Sequence, residues 1–167
     1  MKYEGGVNET FIRASQTFLK EFLSKIEEAV GKLSDEQIWH RSNDASNSIG
    51  NLLLHLEGNV RQHIISGVGQ VPDTRNRPSE FAEKEGRSKE NLLAALSRCV
   101  DEACAALDII AREALLTTRV IQDKEVRLLD DIYHVVEHFS YHTGQIIWAA
   151  KAVTGKGFDW YKYLDKP

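Results

Sequence analysis

Residues 128–146 read LLDDIYHVVEHFSYHTGQI, and they put three histidines, His134, His138 and His142, on one helix. Residues four apart on a helix lie one turn above each other, with side-chain roots about 6 Å apart, so two imidazoles can converge on one ion. His138 and His142 form such a pair, and so do His134 and His138. His134 and His142 are separated by about 12 Å along the axis at 1.5 Å per residue, which is too far for one ion to take all three. Spacing leaves both pairs open.

A third ligand has to come from another helix. His55 is the candidate, because it lies in NLLLHLEG among residues expected to face the core, where an imidazole needs a polar partner. The plainer reading of a lone buried histidine is a hydrogen-bonded core residue. His63 sits two turns later, near a loop, and is expected to be exposed. His40, beside Trp39 in a connection, reads as surface.

Outward from this stretch the pattern is helical throughout. The last helix is expected over residues 126–154, with Gly155 as its terminator. A first helix is expected over 8–30, with Phe11, Ala14, Phe18, Phe22, Ile26 and Ala29 as its buried stripe. LSDEQIWHRSNDAS then forms a connection with room for one short helical turn. Asn47 or Ser48 caps a second helix running to about Ser66 on Ile49, Leu52, Leu53, Leu56, Val60 and Ile64. Residues 67–86, GVGQVPDTRNRPSEFAEKEG, hold glycines and both internal prolines, and are expected to be the longest irregular stretch. A third helix is expected over 88–116, followed by a strand-like TTRVI. The aromatic tail GFDWYKYL should dock on the helices. Four amphipathic helices bury their apolar faces most simply as an all-α four-helix bundle, with one domain spanning 1–167 and a long loop between the second and third helices.

The 167 residues carry 21 Lys plus Arg against 25 Asp plus Glu, with the basic residues scattered, which argues against nucleic acid as a partner. The longest apolar run, 146–150, is far shorter than the roughly 20 residues of a membrane span, and the first ten residues have no signal core; a cytoplasmic location is the expectation. Cys99 and Cys104 fall on different helical faces and read as small buried core residues.

VVEHFSYHTGQI, together with SNSIGNLLLHLEGNVRQHI upstream, resembles the two signature helices of the DinB-like superfamily, in its branch of small uncharacterised bacterial domains. The resemblance implies a four-helix bundle with one metal ion bound by His55 from the second helix and by His138 and His142 from the last. It places Gly144 and Gln145 at the family's Gly-Gln and leaves His134 as a neighbour. Three imidazoles leave open coordination positions, as in a catalytic site, and suit zinc, nickel, iron or manganese. The resemblance further implies a metalloenzyme acting on a small-molecule substrate with a low-molecular-weight thiol, as a transferase or isomerase. The alternative is a metal-stabilised binding module without catalysis. A di-iron reading fails because no Glu precedes any histidine by three residues.

No catalytic residue beyond the ligands is assigned. Glu57 and Glu137 are expected at the surface or behind the ligands, and Asn59 beside the same cavity. Gln145 is expected to orient a ligand and Gly144 to allow close packing. Arg75 and Arg77 in the long loop read first as solvated charges, with holding an anionic cofactor near the cavity as the alternative. Pairing into a homodimer is compatible with such a helical protein.

Overall fold

Ser48 starts the helix that carries His55. Its hydroxyl accepts a hydrogen bond from the Asn51 backbone N–H (3.1 Å), and the Asn51 side chain accepts one from the Ser48 backbone N–H (3.2 Å), a reciprocal capping box. In the computed structural model of the chain, which describes residues 6–164, this helix is α3 (Ile49–Val60). It follows α1 (Val7–Gly31) and the short α2 (Asp35–Trp39), and is followed by α4 (Arg77–Ala82), α5 (Lys89–Ile109) and α6 (Leu128–Thr154). The last two are separated by a 3-10 turn (Arg112–Leu116) and a hairpin of β1 (Thr118–Ile121) and β2 (Lys124–Arg127), paired antiparallel with Thr118 opposite Arg127.

The chain is mostly helical, as expected. Helix α1 packs on α5 and α6, and α3 packs on the same two. Leu19, Ile26, Leu53, Leu56, Leu96, Leu107, Ile132 and Phe139 fill the space between them. Among the described residues no helix is long and apolar enough to cross a membrane. Gly155 ends α6 in the left-handed region (φ 67°), where its N–H reaches the Lys151 carbonyl.

Several boundaries differ from the sequence reading. In α1 the buried stripe is Ile12, Ser15, Leu19, Leu23, Ile26, Ala29 and Val30, while Ala14 and Phe18 are exposed. Two neighbouring stripes of α1 are apolar, and periodicity does not say which one meets the core. Beyond Val60, α3 continues with π-type hydrogen bonding over Arg61–Val68, marked by Gly69 N–H bonding to the Ile64 carbonyl five residues back. The segment expected to be irregular thus begins inside a helix and contains α4, which starts with Pro78 in its first turn. The third helix stops at Ile109, because Ile110 and Ala111 turn to extended backbone before the 3-10 turn. The strand-like TTRVI is β1. Cys99 and Cys104 are both buried, and burial pushes the Cys99 thiol up to about 12. The tail docks through Phe158, which stacks on Trp160 (4.4 Å between centroids) and lies under Lys32, while Trp160 Nε1 donates to Glu28.

Candidate metal centre

Polar side chains meet between α3, its extension and α6. His55, Asn59 and His63 lie at successive turns of α3 and its extension, His55 meeting His138 and His142 of α6 and His63 meeting Asp131 and His134. At one end, ring nitrogens of His55, His138 and His142 all lie within 4.8 Å of one another, a group that can hold a metal ion. Among the described residues no cysteine, carboxylate or further histidine joins it. His55 is buried and the other two are half-buried.

The hydrogen bonds say which nitrogen of each ring faces inward. His55 Nδ1 lies 2.8 Å from Glu80 Oε2. A carboxylate paired with arginine only accepts, so Nδ1 carries a proton, and the neutral ring then has its lone pair on Nε2. That Nε2 faces His138 Nε2 at 2.9 Å. His142 Nδ1 donates to Gln145 Oε1 (2.7 Å), which leaves its Nε2 free as well. Burial, reinforced by His142 and His55, pushes the His138 imidazole down to about 3, and burial also lowers His142. Both are neutral at pH 7, the state in which imidazole binds metal.

Glu80, from α4, is the residue that the sequence reading missed. Burial alone would raise its carboxyl, but hydrogen bonds from His55 and Arg75 outweigh that and hold it below the usual range. Arg75 forks onto it, Nε to Oε1 at 2.7 Å and Nη2 to Oε2 at 3.0 Å, and also donates to Gln62 Oε1 (2.9 Å). The 3.2 Å approach of Arg75 Nη2 to His55 Nδ1 joins two donors, so Glu80 between them is what makes it tolerable. Asn51 ties α4 down: its Nδ2 donates to the carbonyls of Glu80 and Glu83, both at 2.8 Å, and Arg41 donates to Asn51 Oδ1 and the Phe81 carbonyl. The only sequence signal for Glu80 was the helix start NRPSE inside the loop.

Other expectations need correction. Arg75 is not free to hold an anionic cofactor: its side chain is 3% exposed and paired, and breaking such a buried pair costs about 3–5 kcal/mol. Arg77 lies over the Phe81 ring, which itself packs on His55 at 5.0 Å between centroids. His63 is buried instead of exposed, because α6 runs alongside the extension of α3 and Asp131 Oδ1 accepts from His63 Nδ1 at 2.8 Å. Gly144 is exposed, and a Cβ there would touch nothing, so close packing does not require it.

Glu137 is exposed, and Glu57 is half-buried and paired with Arg61. Asn59 is buried, with no partner for its Oδ1. Gln145 does touch a ring of the group, as expected. It also lines a groove of about 1670 Å³, bordered by Trp39, Tyr141, Trp148 and the exposed His40.

A family model described as "Protein of unknown function (DUF1572)" matches residues 6–163. No curated protein matches the chain. Among solved structures, the chain is similar to the "conserved protein of locus from Enterococcus faecalis", with a TM-score of 0.71 at 18% identity over 86% of this chain and 97% of the other. That likeness is one of fold.

Proposed function

Because the chain belongs to the DUF1572 family of proteins of unknown function, its activity has to be read from the site, and we propose a metal-dependent enzyme with one divalent transition ion on His55, His138 and His142. The observation that carries this reading is the convergence of three imidazoles, with ring nitrogens within 4.8 Å of one another and no fourth protein ligand in the group among the described residues. Two of the rings have their outer nitrogen engaged, by Glu80 and by Gln145, which supports inward-facing lone pairs. When bound, such an ion supplies Lewis acidity, lowering the pKa of a coordinated water or thiol and polarising a carbonyl.

The helix packing supports the further reading of the whole chain as one four-helix bundle of the DinB-like type. In that reading the substrate is a small molecule and the co-reactant a low-molecular-weight thiol, handled by a cytoplasmic transferase or isomerase that pairs as a homodimer. The protein's own residues orient the rings, and burial keeps His138 and His142 unprotonated at neutral pH, while the half-buried faces of those two leave an approach for the substrate.

The test begins with elemental analysis of protein purified without chelator or affinity nickel. The proposal expects about one zinc, nickel, iron or manganese per chain. The loaded protein is then assayed with electrophiles and cellular thiols such as glutathione, cysteine and bacillithiol. No ion after supply of all four metals sinks the metal reading; an ion without turnover sinks the thiol reading and leaves a binding module.

A further inference from the structure

We propose that Glu80 is the positioning residue of the site, fixing His55 in the Nδ1–H tautomer so that Nε2 is presented to the other two imidazoles. The inference rests on the three-histidine reading above, and it adds a residue from outside the two histidine helices. Glu80 is buried and 2.8 Å from His55 Nδ1. A neutral imidazole in water favours neither nitrogen strongly, so a buried acceptor at Nδ1 decides where the proton sits. With the proton there, Nε2 is the only nitrogen of His55 that can coordinate.

Three features show that this contact is built in. Arg75 donates to both Glu80 oxygens, Nε to Oε1 and Nη2 to Oε2, which fixes the carboxylate plane and holds the group ionised. Asn51 clamps both the Glu80 and Glu83 carbonyls, so α4 cannot drift from α3. Gly58, three residues after His55, makes the approach possible. A Cβ at that position would land on Glu80 Oε1 and lie 2.9 Å from Arg75 Nε. Any side chain at position 58 must displace the carboxylate.

Gly58 also supplies the variant that separates positioning from simple structural support. Gly58→Ala touches no imidazole and replaces a mid-helix glycine by the best helix former. Displacing the Glu80 carboxylate strains its pair with Arg75 under either role, so a purely structural role predicts lower stability with the His55 tautomer and the zinc affinity unchanged. A positioning role predicts that the fold survives while His55 loses its fixed tautomer.

The experiment measures the His55 ring nitrogens by long-range 1H–15N correlation in metal-free protein at pH 8, alongside zinc affinity by competition with a chromophoric chelator. Wild type is expected to show a protonated Nδ1 and a bare Nε2 at His55. Gly58→Ala and Glu80→Ala should both shift the ring towards an Nε2–H mixture and weaken zinc binding by about 10- to 100-fold. Glu80→Gln, whose amide oxygen still accepts, should restore most of the tautomer preference and part of the affinity.

A wild-type His55 protonated at Nε2, or a tautomer unchanged in Glu80→Ala, overturns the proposal. Zinc affinity equal to wild type in both Gly58→Ala and Glu80→Ala overturns it as well. Should wild type show the Nδ1–H tautomer yet bind no zinc, the tautomer claim stands and the metal reading falls.

Discussion

His55 and His63 lie two turns apart on the same helical element, and each donates from Nδ1 to a buried carboxylate at 2.8 Å. Their surroundings differ in what meets the opposite nitrogen. His55 Nε2 points at His138 and shares its neighbourhood with His142, and its carboxylate comes from α4. His63 meets the exposed His134, 5.6 Å away between ring centroids, and its carboxylate, Asp131, comes from α6 itself. A carboxylate behind a buried histidine is thus not enough to build a group that could hold a metal. The other nitrogen must also meet further imidazoles, and among the described residues the His55 end provides two.

The comparison is broken or sharpened most strongly by deletion. His55→Ala, His138→Ala, His142→Ala should abolish metal binding outright, whereas His63→Ala, His134→Ala should keep about one ion per chain by elemental analysis. Retention by the first variant, or loss from the second, would reverse the assignment of roles.

Asp131→Ala comes next. It strips His63 of its acceptor without touching the three-histidine group, and a buried donor left unpaired costs about 1–3 kcal/mol. Urea unfolding should show that loss, with metal content unchanged.

Acid should act more gently, and at the His55 end. His138 and His142 have folded pKa values below 6.5, so below that pH the unfolded chain takes up protons first. Stability of the metal-free protein should therefore fall as pH drops from 6.5 towards 3, and not rise. Both rings are half-exposed and screened by solvent, so the effect is a few degrees of Tm. A melting series that improves on acidification would contradict the burial of these rings.

The smallest effect is expected between the two ends. Asn59 buries an Oδ1 that has no partner. Asn59→Leu removes that unsatisfied acceptor at similar volume, so stability should change by no more than about 1 kcal/mol, in the favourable direction. Equilibrium unfolding decides it, and a marked loss would show that Asn59 carries an interaction of its own.

Much of this was readable in the chain, for identifiable reasons. His138 and His142 are a local pair that helical spacing brings together, as it does His134 and His138, and the family resemblance chose between the two. His55 was legible because a histidine inside LLLHL has to find a partner. Two things were hidden. The stripe of α1 was right at Ile26 and Ala29 but off by one residue in its first half, because Phe11, Phe18 and Phe22 repeat with the same period as the buried Ile12, Leu19 and Leu23, and the larger rings drew the assignment to the edge of the core. Glu80 and Asp131 were hidden because their partners lie 25 and 68 residues away, and no local pattern encodes such a meeting. The burial of His63 follows from the second of these contacts.

The Asn51 clamp sets the smallest piece that could be transplanted. A designer who lifts α3 and α6 into another scaffold carries all three imidazoles but leaves behind Arg41, Arg75 and Glu80, and with them the proton that orients His55. The portable half-site is the continuous run of residues 41–83, and a graft shorter than that inherits the histidines without their alignment.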